Sequence, residues 1–219
     1  MFIRSIGITV AALAATLVTG SGVAYAADST PPRGSHYAKV EQKTNAALRG
    51  QGLANRNLPQ CDDLTSAPAA PAMRTLDYMA GEWVGYGWND GQQGRSYYVQ
   101  TEEIRFLPGG TRLEVKGTGT SPTDPSVTVF SAYAIAEPKA GGGISWTAYN
   151  EGNQLVTDLV VTPTGWSWQF PAGPGVTVRY VTDFTDNWRA WHEYGEVSLD
   201  GGQTWQRFQQ MTLVKTCDA

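Results

Sequence analysis

The sequence predicts a mainly β protein: a single antiparallel up-and-down β-barrel of about ten strands, preceded by one or two short helices. From Gly81 onward, segments rich in Val, Thr, Tyr, Trp and Phe alternate with turn clusters at intervals of about 8–12 residues. No helical spacer separates the segments, so hairpins join them and neighbouring strands run antiparallel. The tryptophans all lie between Trp83 and Trp205, which gives the strands an aromatic-rich face.

Nine turn clusters divide this region into ten predicted strands. Closing such a meander into a barrel leaves no open sheet edge. No motif recurs at a fixed period, which argues against a propeller. The expected strands are 82–88, 96–106, 111–119, 127–136, 144–150, 154–162, 166–170, 176–184, 187–198 and 203–215.

The segment 1–26 has the three parts of a signal peptide. Arg4 supplies the positive start, an apolar stretch runs over 6–18, and Ala24 and Ala26 form a small-x-small cleavage site. We therefore expect an exported protein, periplasmic or extracellular. A membrane anchor is the alternative, but the stretch is short and no basic stop-transfer cluster follows.

An N-terminal tail is expected over residues 27–72. It contains a helical pattern over 36–49 and a Pro- and Ala-rich linker over 66–71. The barrel domain is expected over 73–219, and its first residues predict a short helix with Met73, Leu76 and Met79 on one side.

Charge and motifs exclude several classes of partner. The formal net charge is −4, or −5 without the leader, and no basic run is present, so nucleic acid and anionic lipid are poor candidates. No later segment is apolar enough to span a bilayer. Metal-spaced histidines, a phosphate loop and a Gly-x-Ser-x-Gly motif are absent, so the sequence predicts no metal and no cofactor.

A Gly-x-Trp-x-Gly-x-Gly motif opens the first strand after the short helix. Its residues are Gly81, Trp83, Gly85 and Gly87. Over residues 73–215 the chain resembles the calycin group, and within it bacterial lipocalin-like domains of unknown function and nitrobindin-type ten-stranded barrels.

This resemblance implies that a basic residue on the last strand packs across Trp83. Arg207 is the best match and Lys215 the second. Nitrobindin-type barrels ligate haem through a histidine near the C-terminus. Residues 211–217 contain no histidine, so haem binding does not carry over.

The segment 198–205 matches the Asp-box of sialidases and related propellers. In that motif the aspartate, here Asp200, bonds turn amides, and the tryptophan, here Trp205, packs beneath them. A single copy predicts a stable hairpin between the last two strands rather than a catalytic site.

Aromatic residues are the main indication of a ligand. They form a core in most proteins, but a ten-stranded barrel is wide enough to leave a cavity. The candidate ligand-binding residues are Tyr98, Trp146, Trp166, Trp168, Arg179, Tyr180, Trp188, Trp191 and His192.

Titratable residues leave the chemistry open. His192 is either a base or ligand, or a structural or surface histidine; strand alternation places it on the opposite face from Glu193. Of the adjacent Glu102 and Glu103, at most one faces inward. Three function classes remain: a barrel holding a small apolar or amphipathic molecule, an enzyme in the same cavity, or a packed barrel that acts through its surface.

The two cysteines, Cys61 and Cys217, are expected to form a disulfide, since an exported protein meets an oxidising compartment. Closing so long a loop stabilises the fold by about 4–5 kcal/mol in the loop-entropy model. Mass spectrometry of the unreduced protein should show the two peptides linked, with two hydrogens fewer than the reduced pair. Two free thiols in native protein would contradict the pairing.

Overall fold

The computed structural model describes residues 64–91, 94–150 and 153–219. The leader, the predicted helix over 36–49 and Cys61 lie outside these residues. A 3₁₀ helix, Pro71–Met79, precedes ten strands. The strands are β1 Gly81–Gly91, β2 Gly94–Phe106, β3 Leu113–Thr120, β4 Thr128–Pro138, β5 Ile144–Asn150, β6 Asn153–Val161, β7 Gly165–Gly173, β8 Val176–Thr185, β9 Ala190–Ser198 and β10 Gln206–Asp218.

The strands form one closed antiparallel barrel in sequential order. Each strand pairs with the next, and β1 also pairs with β10, from Gly81 opposite Asp218 to Asn89 opposite Gln209. The prediction of a ten-stranded up-and-down barrel is therefore confirmed. No helix in the described part of the chain is long and apolar enough to cross a membrane.

The 3₁₀ helix plugs one end of the barrel, which we call the closed end. Met73, Leu76 and Met79 are fully buried in the barrel core. Their three-residue spacing matches the three residues per turn of a 3₁₀ helix, so they line up along one side. The indole N–H of Trp83 donates to the Met79 carbonyl at 2.9 Å and fixes the helix end to β1.

The segment predicted as a linker is bonded to the barrel. The Ala67 amide donates to the Phe106 carbonyl and the Ala70 amide to the Gly110 carbonyl. The Phe106 amide donates to the Ser66 hydroxyl at 2.9 Å. The Pro- and Ala-rich composition therefore produces an extended segment held against β2 and the turn that follows it.

The strand predicted from residue 187 begins instead at Ala190. Asp186, Asn187 and Trp188 have φ angles of 51°, 52° and 66°, a left-handed turn that alternation does not anticipate. The turn stacks Trp188 on Tyr78, with ring centroids 4.3 Å apart. Trp188 and Trp191 consequently both contact Phe184 and do not point to opposite faces.

Lys215, rather than Arg207, packs across Trp83, so the first choice from the sequence is wrong. The Lys215 Nζ lies 5.2 Å from the centroid of the Trp83 ring and donates to the Ala80 carbonyl. Lys215 is the register partner of Trp83. Arg207 lies at the far end of β10, where its guanidinium covers the Tyr194 ring on the outer face.

The Asp-box segment forms the predicted hairpin. Asp200 accepts hydrogen bonds from the Gln203 and Thr204 amides and from the Thr204 and Ser198 hydroxyls, and these bonds hold its pKa well below the usual range. The Trp205 indole donates to the Gly202 carbonyl at 3.1 Å. The guanidinium of Arg179 covers the outer side of that ring at 3.8 Å.

The glycines of β1 and β3 make room for inward side chains. A Cβ at Gly87 would lie 2.4 Å from the Tyr98 ring, and one at Gly119 would lie 2.2 Å from the Phe130 ring. At Gly85 the Cβ would instead collide with the Thr212 carbonyl of β10. The bare face of β1 therefore permits close approach of β10 and leaves space for the Tyr98 ring.

Substituting Gly87→Ala should destabilise the barrel by about 1–3 kcal/mol, because the buried Tyr98 ring must shift. Urea unfolding measures the loss. Gly91→Ala is the matched control on the same strand, where a Cβ meets only an atom at 4.0 Å. Adding Tyr98→Leu to Gly87→Ala should recover part of the loss, and strictly additive effects would contradict the contact.

Candidate functional site

Aromatic side chains line the barrel interior from one end to the other. Trp83, Trp191, Trp166 and Trp146 follow one another with ring centroids 5.6 to 5.8 Å apart. Trp168 continues the series, 6.1 Å from Trp146 and stacked on Tyr180 at 4.5 Å. The series runs from the plugged end to the opposite end, which we call the open end.

Inward residues near the open end are partly accessible to solvent. Ala132 has the same inward direction as the buried Ala134 and Ala136, yet it is exposed. Phe130 and Leu155, also on the inner wall, are only half-buried. The interior therefore reaches solvent at the open end, beside β4 and β6.

The wall is weakest between β6 and β7, a gap we call the seam. The two strands pair only at Val160–Ser167 and Val161–Trp166. Beyond that point the Thr157 hydroxyl bridges them by donating to the Gln169 carbonyl at 2.7 Å. A depression of about 640 Å³ lies at the seam; most of its lining, including Asp158, Val160 and Arg179, belongs to the outer face, and the inward-facing Trp168 also lines it.

A polar group lies midway along the interior, opposite the aromatic wall. Gln100 and Glu102 point inward from β2 and are 1% and 5% exposed. The Gln100 amide donates to Glu102 Oε1 at 2.7 Å. Both side chains lie over Gly117 of β3, where a Cβ would come within 2.6 Å of the carboxylate. Gln100 Oε1 and Glu102 Oε2 have no hydrogen-bond partner.

A second carboxyl, Glu193, enters the interior from β9. It is buried and accepts a hydrogen bond from the Thr182 hydroxyl at 2.8 Å. Burial raises its pKa to about 7. The Thr182 hydroxyl and the nearby Trp191 indole lower that pKa by less than burial raises it, and the Trp191 N–H makes no hydrogen bond of normal geometry.

Glu102 and Glu193 act on each other. Burial raises the pKa of Glu102 to about 8, and the charge of Glu193 adds to that rise. The phenols of Tyr98 and Tyr180, both also buried, have raised pKa values and remain neutral. The four groups, with Gln100 and Thr182, form what we call the polar centre of the barrel.

Unpaired donors complete the interior. The indole N–H groups of Trp146, Trp166 and Trp191 are buried without a hydrogen-bond partner. A buried polar group without a partner loses its solvation, so it favours binding a molecule or a water that can restore the bond. The interior thus offers both donors and acceptors within an apolar wall.

The structure brings most of the predicted ligand-binding residues together. The inward residues are Tyr98, Trp146, Trp166, Trp168, Tyr180 and Trp191. Trp188 belongs to the turn at the closed end. Arg179 and His192 lie on the outer face, where Arg179 pairs with Glu196 and His192 contacts Thr185 and Thr212.

Sequence reasoning did not single out Glu102 and Glu193 as site residues. Glu102 is adjacent to Glu103, and Glu193 is adjacent to His192. Strand alternation points one residue of each pair into the barrel but does not show which one. The pattern of buried neighbours supplies the missing signal: Ile104 and Phe106 share the face of Glu102, and Trp191 shares that of Glu193.

Comparison with known proteins supports the fold alone. No family model matches the chain, and no curated protein matches it. Among solved structures, Rv2717c from M. tuberculosis is similar, with a TM-score of 0.52 and 14% identity, covering 68% of this chain and 99% of that one. The likeness fits a calycin-like barrel at the level of architecture.

The raised pKa values predict that the fold loses stability as pH rises. A carboxyl with a higher pKa in the native state than in the unfolded chain stabilises the fold fully below its unfolded pKa, about 4.3. That contribution is lost as the pH passes about 7 and 8, the native values of Glu193 and Glu102. The urea midpoint should therefore fall between pH 5 and pH 9.

Glutamine variants test whether the two interior carboxyls cause this pH dependence of the urea midpoint. Glu102→Gln and Glu193→Gln, which imitate the protonated form, should each flatten the pH dependence. The exposed neighbour Glu103 is the matched control, and Glu103→Gln should keep the wild-type slope. Equal slopes in all four proteins would contradict the assignment.

Proposed function

We propose that this chain is an exported, lipocalin-like β-barrel that holds a flat or elongated apolar or amphipathic molecule in its interior. The observation that carries the proposal is the continuous aromatic series that ends at a partly exposed inner wall. Burying apolar ligand surface gains roughly 25 cal/mol per Å², before association costs are subtracted. The signal-peptide pattern of residues 1–26 supports export.

The open end and the seam are the two routes by which a ligand would enter. Both lead to Trp168, which is half-buried and stacks on Phe170 and Tyr180. The closed end is filled by the 3₁₀ helix and the rings around Trp83. The proposed ligand therefore lies against Trp146, Trp168 and Tyr180, with its polar end towards Glu102 and Glu193.

An enzyme working in the same interior is the second candidate. It is favoured by two buried carboxyls whose pKa values lie near neutrality, as general acids and bases require. A bound compound that changes mass over time with wild-type protein, but not with Glu193→Gln, would identify an enzyme. A compound recovered unchanged favours the binding protein.

Native mass spectrometry of protein from its own host, followed by extraction of any bound mass, tests the binding function. Tryptophan fluorescence should change with some members of a panel of fatty acids, quinones, sterols, aromatic acids and aromatic amines. Trp168→Ala should weaken binding about tenfold or more by removing a ring that lines the site. Trp205→Ala, on the outer hairpin, should not.

Two results together would overturn the binding function. One is a clean mass without ligand, and the other is the absence of any fluorescence change across the panel. The barrel would then act through its surface.

A further inference from the structure

We propose that the interior selects a ligand carrying a protonated amine on a flat apolar body, with the amine held between Glu102 and Glu193. This inference rests on the proposed binding function and specifies the chemistry of its ligand. It depends on the charges of the polar centre, on its free acceptors and on the aromatic wall around it.

The charges of the polar centre are of one sign. Its ionisable groups are the two carboxyls and the neutral phenols of Tyr98 and Tyr180. Lys215 shares the inner direction of β10 but lies at the closed end, bonded to the Ala80 carbonyl and to Asp218. In the described part of the chain, the other basic side chains lie on the outer face, on the helix or in turns.

Two hydrogen-bond acceptors of the polar centre have no partner. Gln100 Oε1 and Glu102 Oε2 are buried, face the interior and have no hydrogen-bond partner. Glu193 accepts a bond from the Thr182 hydroxyl, and a carboxylate has acceptor sites for further donors. An ammonium group has three N–H donors, and so it can satisfy acceptors on both carboxyl-bearing strands.

Burial makes a cation favourable here. Two carboxyls without a basic partner in a low-dielectric interior must keep protons, whereas a bound ammonium lets them ionise and pair. A carboxylate ligand would add a third negative group. The aromatic wall of Trp146, Trp168 and Tyr180 holds the apolar body of the ligand.

Proton release is a distinct consequence. The empty site holds protons near neutral pH, and the bound ammonium displaces one from the carboxyl pair. Affinity for the amine should therefore rise from pH 6 to pH 8, by up to about tenfold per pH unit for one proton released. A neutral ligand of the same shape should show no such rise.

Three probes of one shape separate the possibilities: tryptamine, 3-ethylindole and indole-3-propionate. Calorimetry should show tryptamine binding about tenfold or more tightly than either of the others at pH 7.5 or so, with proton release in buffers of different ionisation enthalpy. Glu102→Gln and Glu193→Gln should each remove most of that preference, because each variant lacks a carboxylate that pairs with the ammonium. Glu103→Gln should keep that preference.

The outcomes distinguish this inference from the function on which it rests. The proposed selectivity for an amine is wrong if 3-ethylindole or indole-3-propionate binds as tightly as tryptamine, or if tryptamine binds without proton release. The proposed binding function would still hold in either case. If none of the probes and no member of the wider panel binds, both fall. The proton-release measurement uses wild-type protein, so it decides the question even if a glutamine variant fails to fold.

Discussion

Closure of the sheet through the pairing of β1 with β10 is the constraint on which the rest of the structure depends. The pairing brings the chain ends of the barrel together and turns a meander into a ring without edges. Gly85 permits it, because any side chain there would collide with the backbone of β10. Once the ring is closed, alternation divides every strand into an inner and an outer face.

The interior that results has two unequal halves. Towards the closed end, the rings of Trp83, Trp166, Trp191 and Phe184 pack against the helix and bury apolar surface. The other half carries the carboxyls of Glu102 and Glu193 and the phenols of Tyr98 and Tyr180 at depths where such groups destabilise a fold. Stability contributed at one end thus offsets the cost of the buried polar groups at the other.

The sequence predicted the elements that local residue patterns determine. All ten strands follow from alternation and turn residues, and the 3₁₀ helix follows from the spacing of its three apolar residues. Prediction from the sequence failed where the position of a side chain depends on pairing with a strand far along the chain. The choice between Arg207 and Lys215 required the register of β10 against β1, and a register shift between Arg207 and Gln209 further disturbs the alternation of that strand.

The residues of the candidate site were also predicted only in part. Six of the nine candidate residues for the ligand face inward, because large aromatic residues in strands favour the buried face. Arg179 and His192 were chosen for their chemistry, and their outward direction is set by a strand parity that chemistry does not reveal. The sequence left the direction of Glu102 and Glu193 open, because each has a polar neighbour and strand parity alone does not show which of the two faces inward.

The short ladder between β6 and β7 would determine how fast the proposed ligand exchanges with the interior. Local opening of the barrel wall costs only the free energy of the hydrogen bonds that break. Between β6 and β7, one side-chain hydrogen bond from Thr157 replaces several of the backbone hydrogen bonds that other strand pairs form. Pro171 lies in the stretch of β7 that has left its β6 partner, where its missing N–H costs nothing. Passage through this wall would therefore be set by fluctuations of two strands, on a timescale far shorter than that of unfolding the ring.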